Sequence, residues 1–276
     1  MEFNLQHHSH AILITESQGS YLTPFLTAYL KSIVCTSKIE NKSCDACENC
    51  TKIKNNLYYD IIDVDGSVET ISKDRIIEIQ NRFLRMGLER GNKKVYIIHQ
   101  IELASSQAVN ALLKFLEEPP NNTYAILTTR NQLVIPQTIT SRCQRVLLKK
   151  NNFDWSQTAI KYNLKKADIK SLTDIYWTID DALAALKDNT FSEVSELSFR
   201  FLNTKKSLEE LNAIFEKFKS LSFRQIQLVL NYLIVNLDIT CWDVLVRLSN
   251  DLKLNPIRSA MFWQIIRVIE RCQKNG

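Results

Sequence analysis

The stretch 11-AILITESQGSYLTPFL-26 decides what kind of fold this chain has. An apolar run, Ile12-Leu13-Ile14, leads into a short polar turn, and a second apolar segment follows with Pro24 near its start. Strand, loop and helix in that order make the frame in which phosphates are usually cradled, because loop N–H groups and a helix N-terminus face the anion together. Yet the loop has one glycine, Gly19, and no lysine. The frame predicts an α/β fold and leaves its chemistry open: a broken ATP site, an unusual working one, or a coincidence.

Four further runs can join residues 12–15 in one sheet: DIIDVD (60–65), KVYIIH (94–99), YAILTT (124–129) and RVLLK (145–149). Short runs rich in Ile and Val, separated by helical stretches, predict buried parallel strands in βα units. The helix in SKDRIIEIQNRFLR has Ser72 as its N-cap candidate and aligns Ile76, Ile79 and Phe83. The helix in SSQAVNALLKFLEEPP aligns Val109, Leu112, Leu113 and Leu116, and Pro119-Pro120 stops it. Glu117 and Glu118 close that helix where the macrodipole disfavours acids, so they read as solvated surface.

From Phe153 onward no strand is expected. Helical periodicity runs through residues 155–165, 167–177, 180–187, 192–202, 208–221, 223–237, 242–252 and 256–273. The apolar stripe of Leu228, Leu230–Leu233 and Val235 reads mostly as core. The expectation is thus α/β plus all-α: a parallel-sheet domain over residues 1–152, a small helical unit over 153–190 and a larger helical domain over 191–276.

Composition narrows the function classes. With 276 residues, 45% hydrophobic and 24% charged, the chain is ordinary globular material. A net charge of +5 is short of what binding nucleic acid on charge alone requires, so any DNA contact needs partners to share it. No apolar run approaches the roughly 20 residues of a membrane span, and the start MEFNLQHHSH has no secretory pattern. The chain reads as cytoplasmic, with no membrane partner, and its seven cysteines then need an explanation other than disulfides.

Cys35, Cys44, Cys47 and Cys50 have the spacing C-x8-C-x2-C-x2-C. Cys-x2-Cys lets two thiolates grip one ion within a single turn, and four thiolates close a tetrahedral zinc site that leaves no open position for water. The reading is a structural Zn2+ module at residues 35–50, against a redox centre or plain thiols. Cys143, Cys241 and Cys272 read as isolated buried apolar residues. His7, His8 and His10 read as a surface run, with a second metal as the rival.

Four segments carry a family resemblance: 10-HAILITESQGSYLTPFLTAYLKSIVC-35, the cysteine spacing after it, 94-KVYIIHQIELASSQAVNALLKFLEEPP-120, and 135-IPQTITSRCQ-144. Together they resemble the clamp-loader branch of the AAA+ ATPases, which comprises the gamma/tau and delta-prime subunits of the bacterial DNA polymerase III holoenzyme. The resemblance covers about the first 150 residues. It implies an AAA+ domain with a zinc module, a small helical lid domain (153–190) and a helical collar domain for oligomerisation (191–276).

Laid on a working phosphate loop, G-x4-G-K-[ST], the first glycine becomes Glu16, the second Tyr21 and the lysine Leu22, and only Thr23 survives. Glu16 puts negative charge where phosphates belong, Tyr21 adds bulk where backbone must approach closely, and Leu22 removes the cation. The strand that should end in an acidic pair for Mg2+ and water ends instead in His99-Gln100. His99 reads as a core or sheet-edge histidine, with zinc ligand or general base as rivals. The family's sensor motif G-S-x-R-D-A-L falls on 177-WTIDDAL-183, where its arginine is Asp180.

The resemblance keeps one catalytic element. Ser141-Arg142-Cys143 matches the family's arginine-finger motif, which acts in trans on ATP held by the neighbouring subunit. The expectation is therefore a delta-prime-type subunit that binds no ATP itself. It would sit in a five-subunit ring with gamma/tau ATPase subunits and a delta subunit, and help load the sliding clamp on primed DNA. An ATPase using Thr23 and some distant lysine, and a free-standing zinc-module nucleic-acid binder, are the alternatives.

Overall fold

The computed structural model describes residues 9–40, 42–84, 87–89, 91–203, 207–237, 242–252 and 256–275. The chain divides into two compact units, Met1–Asn151 and Asn152–Gly276.

In the first unit the order is β1 (Ala11–Glu16), α1 (Leu22–Val34), α2 (Glu48–Lys54), β2 (Ile61–Asp65), α3 (Lys73–Phe83), β3 (Lys94–His99), α4 (Ser106–Glu117), β4 (Thr123–Thr129), α5 (Gln137–Thr140) and β5 (Gln144–Leu148). The strands form one 5-stranded sheet in the order β2-β3-β4-β1-β5, and every pairing is parallel. Both faces are covered by helices, which is why the strand sequences read as continuous apolar runs. Ala11 and Leu13 share a core with Tyr96, Ile98, Ile76 and Leu112. Ile12 and Ile14 point the other way and pack with Ile97, Leu30 and Ile33.

The expected local signals operate here. Ser72 caps α3 by accepting from the Arg75 N–H at 3.2 Å, and Ser105 caps α4 through the Ala108 N–H at 3.1 Å. Helix α4 ends at Glu117, just before Pro119 and Pro120. Because β1 lies between β4 and β5, its C-terminal end sits at the point where strand order reverses, the place where open α/β sheets bind ligands.

The second unit is helical, with no strand among its described residues: α6 (Ser156–Tyr162), α7 (Lys166–Ile175), α8 (Ile179–Lys187), α9 (Thr190–Asn203), α10 (Leu208–Ser220), α11 (Phe223–Asn236), α12 (Trp242–Asp251) and α13 (Arg258–Asn275). Helix α6 stops short of the expected Lys165 because Asn163 turns left-handed at φ 51, and the Lys165 N–H then starts α7 on the Asp168 carboxylate at 2.7 Å. One apolar cluster spans the unit from Leu172 to Ile269, so residues on both sides of position 190 share a core. Leu228, Leu230 and Leu233 are buried in it as expected, whereas Val235 is exposed. Phe201 and Phe218 meet edge-on at 5.9 Å, and Phe262 joins them.

Two cysteine readings need correction or limits. Cys272 is disulfide-bonded and partly buried against the helical core, not an isolated thiol; linear spacing carried no sign of that approach. Cys241 lies outside the described residues, as do His7 and His8. Among the described residues no helix is long and apolar enough to cross a membrane.

Candidate functional site

The loop after β1 is hydrogen-bonded to the end of β5 and the segment that follows it. The Ser17 N–H donates to the Leu148 carbonyl at 3.0 Å and the Ser20 N–H to the Ser17 carbonyl at 3.0 Å. The Gly19 carbonyl accepts from the Asn151 N–H at 2.9 Å, which fastens the loop to the segment following β5. Gly19 is left-handed at φ +72, and a Cβ there would stand 3.1 Å from Lys150 Cγ, so glycine serves the turn and the close approach. A phosphate cradle needs backbone N–H groups turned outward to an anion. Here the Ser17 and Ser20 N–H groups are already committed to carbonyls.

The side chains continue that pattern. Glu16 is buried at the end of β1, with 4% exposure. Leu22, which the resemblance sets where a phosphate lysine would stand, is 7% exposed and belongs to the apolar cluster of α1. Tyr21 is the N-cap of α1 with no side-chain cap bond, and Thr23 is exposed on the first turn.

At the end of β3, His99 Nε2 lies 3.1 Å from Asp63 Oδ1 on the neighbouring strand β2. Burial works to lower the His99 pKa, but the Asp63 hydrogen bond and the charges of Asp63, Asp65 and Glu16 outweigh it and raise it above the ordinary value. Those carboxylates favour the imidazolium form. His99 is thus a sheet-end histidine held by an acid. Gln100 turns left-handed at φ 52, and its N–H donates to Thr128 Oγ1 at 3.2 Å. Gly66 is pressed against this turn: a Cβ would stand 3.0 Å from the His99 carbonyl and 2.7 Å from Ile71 Cδ1.

The four cysteines converge between α1 and α2. All four Sγ atoms lie within 4.8 Å of one another, and they are free thiols rather than disulfides. A tetrahedral ion with Zn–S bonds of about 2.3 Å separates its sulfurs by roughly 3.8 Å. Cys35 and Cys44 Sγ are 3.6 Å apart, and Cys47 and Cys35 Sγ are 4.0 Å apart. Backbone donors also point at the sulfurs: Cys44 N–H to Cys35 Sγ at 3.4 Å and Cys47 N–H to Cys44 Sγ at 3.2 Å. Such donors stabilise thiolate, so the donor set fits a metal such as zinc. The cluster is framed by Asn49 Nδ2 on the Val34 carbonyl at 2.9 Å and by a Lys31–Asp45 ion pair at 2.7 Å. Among the described residues it is the group of His, Cys, Asp or Glu placed to hold a metal ion. His10 is not part of one; its Nε2 meets the Leu116 carbonyl at 3.0 Å.

The Ser141-Arg142-Cys143 motif follows α5. Ile139 and Cys143 are buried in the core on either side of Arg142, and burial pushes the Cys143 thiol up to about 11. Arg142 itself stays partly exposed. Its Nη1 donates to the Thr138 carbonyl at 2.8 Å and to Ser141 Oγ at 3.3 Å, and its Nη2 pairs with Glu117 Oε1. Glu117 is exposed, as expected of a solvated surface acid, and it also pairs with Arg142, 25 residues away in sequence. In the second unit, Asp180 lies in the first turn of α8, which Thr178 and Asp181 cap reciprocally at 3.1 and 3.2 Å. An acid there suits the helix N-terminus.

Comparison with known proteins gives a consistent picture. The profile of the family described as DNA polymerase III, delta subunit, matches residues 2–152. The uncharacterised Mycoplasma pneumoniae MG007 homologue is 29% identical over 259 residues, covering 94% of this chain and 98% of that one. The Bacillus subtilis DNA polymerase III subunit delta' is 35% identical over 136 residues, 49% of this chain and 41% of the relative. Escherichia coli DNA polymerase III subunit tau is 33% identical over 140 residues, 51% of this chain and 22% of the relative. The matches to delta' and tau thus span less than half the length of those relatives. The crystal structure of a DNA polymerase III gamma-subunit-related protein from Thermotoga maritima superposes with a TM-score of 0.63 at 19% identity, covering 95% of this chain and 94% of that one, so the fold is shared. Because the family match takes in more than half of its residues, the chain belongs to the DNA polymerase III delta subunit family.

Proposed function

We propose that this chain is a delta-prime-type clamp-loader subunit that hydrolyses no ATP of its own and donates Arg142 to ATP bound by a neighbouring gamma/tau subunit. The observation that carries the reading is a contrast within one unit. The loop after β1 is fastened to Leu148 and Asn151 and has Leu22 in the core, while Arg142 is held at the surface between buried anchors. A guanidinium delivered in trans can neutralise charge developing on the γ-phosphate, an effect of roughly 10³–10⁵ in rate in related chemistry.

In this reading residues 153–190 serve as lid and 191–276 as collar in a five-subunit ring with gamma/tau and delta. The ring loads the sliding clamp on primed DNA in the cytoplasm. Zn2+ held by Cys35, Cys44, Cys47 and Cys50 is structural: it cross-links the end of α1 to the start of α2. Kinship with tau, gamma and delta' subunits supports the replication role.

One observation favours a rival, an ATPase with an unorthodox pocket: the stem of Lys150 lies against Gly19, which makes it a candidate replacement for the missing loop lysine. Buried Glu16 and the Asp63 and Asp65 carboxylates near the ends of β2 and β3 weigh against it. Co-purification with cognate gamma/tau and delta, followed by DNA-stimulated ATPase, tests the proposal. Arg142→Ala should leave assembly intact and lower hydrolysis. Micromolar Mg-ATP binding by the isolated chain, or unchanged hydrolysis with Arg142→Ala, overturns it.

A further inference from the structure

Glu117 is the last residue of α4, where its charge opposes the partial negative end of the helix dipole. Helix-level reasoning therefore gives it no purpose. Its carboxylate is instead paired with Arg142 Nη2. The other terminal nitrogen, Nη1, is taken by the Thr138 carbonyl at 2.8 Å and Ser141 Oγ at 3.3 Å. A guanidinium has five N–H donors in a rigid fork. Among the described residues these contacts account for both Nη1 hydrogens and one on Nη2, which leaves two of the five donors, on Nη2 and Nε, for a further acceptor.

We propose that Glu117 is the positioning residue of Arg142: it fixes the orientation of the guanidinium so that the remaining edge of the fork is presented to a phosphate on a neighbouring subunit. The inference rests on the arginine-finger reading above and names what aims the finger. Backbone placement is set by Ile139 and Cys143, which are buried in the same core as Leu112 and Leu116 of α4. Glu117 adds what backbone anchoring cannot, the torsional setting of a long flexible side chain. An arginine that acts only in the transition state gains from being held beforehand, since misplacement by about 1 Å can cost on the order of 100-fold in rate.

Pro119 and Pro120 bear on where Glu117 stands. They end α4 one turn after Leu116, so Glu117 stays at the helix end facing α5 and the turn that carries Arg142.

The test uses the full-length chain reconstituted with its cognate gamma/tau and delta partners, with kcat and KM for ATP measured in the presence of clamp and primed DNA. The variants are Glu117→Ala, Glu117→Gln, Arg142→Ala and the double Glu117→Ala/Arg142→Ala. Glu117→Ala should reproduce the greater part of the kcat loss of Arg142→Ala with KM unchanged. Glu117→Gln keeps an acceptor oxygen and should recover part of it. The double variant should be no slower than Arg142→Ala alone. If Arg142→Ala lowers kcat but Glu117→Ala leaves it unchanged or raises it, the positioning role is refuted while the finger stands. An equal further loss from Glu117→Ala in the Arg142→Ala background refutes it too, by exposing a purely structural effect. No effect from Arg142→Ala overturns the finger and the positioning role together.

Discussion

Removing one ligand from the cysteine cluster is the perturbation with the clearest arithmetic. Cys50 is fully buried at 0% exposure and belongs to α2, while Cys35 directly follows α1, so an ion bound by the four sulfurs ties two helices together. The reference state is the chain with free zinc at about 100 times Kd, where binding to the folded state contributes about 2.7 kcal/mol. Each tenfold loss of affinity removes about 1.4 kcal/mol. A Cys50→Ser chain that loses the ion therefore forfeits the full 2.7 kcal/mol. At about 2–4 °C per kcal/mol for a unit of this size, melting should fall by roughly 5–11 °C. The assay is metal content together with thermal melting of the full-length chain, followed by Co2+ substitution. Tetrahedral sulfur ligation should give intense ligand-to-metal absorption in the parent and lose it in the variant. Cys143→Ser, a buried thiol outside the cluster, should keep its metal. A Cys50→Ser chain with one equivalent of metal and an unshifted melting temperature refutes the closed four-sulfur site.

His99 should make stability depend on pH. Its folded pKa is raised above the unfolded value of about 6.5, so its contribution is fully present below that value and lost as pH rises through the folded pKa. Denaturant melts of Asp63→Asn should therefore differ most from the parent near pH 6 and converge at high pH; a gap that widens with pH contradicts the pairing. Leu22→Lys restores the residue type of the phosphate lysine but should not restore ATP binding by calorimetry, because Glu16 and the Leu148 and Asn151 bonds still close the loop. It should also cost at least about 2 kcal/mol of stability through lost apolar burial; micromolar ATP affinity in this variant would show that the loop needs only a cation.

Much of this protein is legible from linear order because the physics is local. Residues 94–99 form a strand since an apolar run buried on both faces needs no tertiary partner to be recognised, and all five strands fall within a residue or so of the expected runs. Ser72 caps α3 and the prolines end α4 through backbone chemistry confined to one turn. The Cys-x2-Cys spacings announce convergence because each spans a single turn. The departures from the phosphate-loop pattern at Glu16, Tyr21 and Leu22 are readable from residue type alone.

Tertiary structure decided what depends on long-range approach. Asp63 meets His99 only because β2 pairs with β3 in a register that sets Asp65 beside His99. Glu117 meets Arg142 only because α4 and α5 share a core, which turns an unfavourable helix-end acid into an ion-pair partner. The single core spanning the helical unit and the bonded state of Cys272 were equally beyond periodicity, since amphipathic helices declare an apolar face but not the neighbour it will meet. Sequence determined which residue types stand at the candidate positions, from the four cysteines to Arg142 and Leu22. The folded chain decided which charges stand together, because Coulomb interactions and hydrogen bonds act through space over a few ångströms, whatever the separation along the chain.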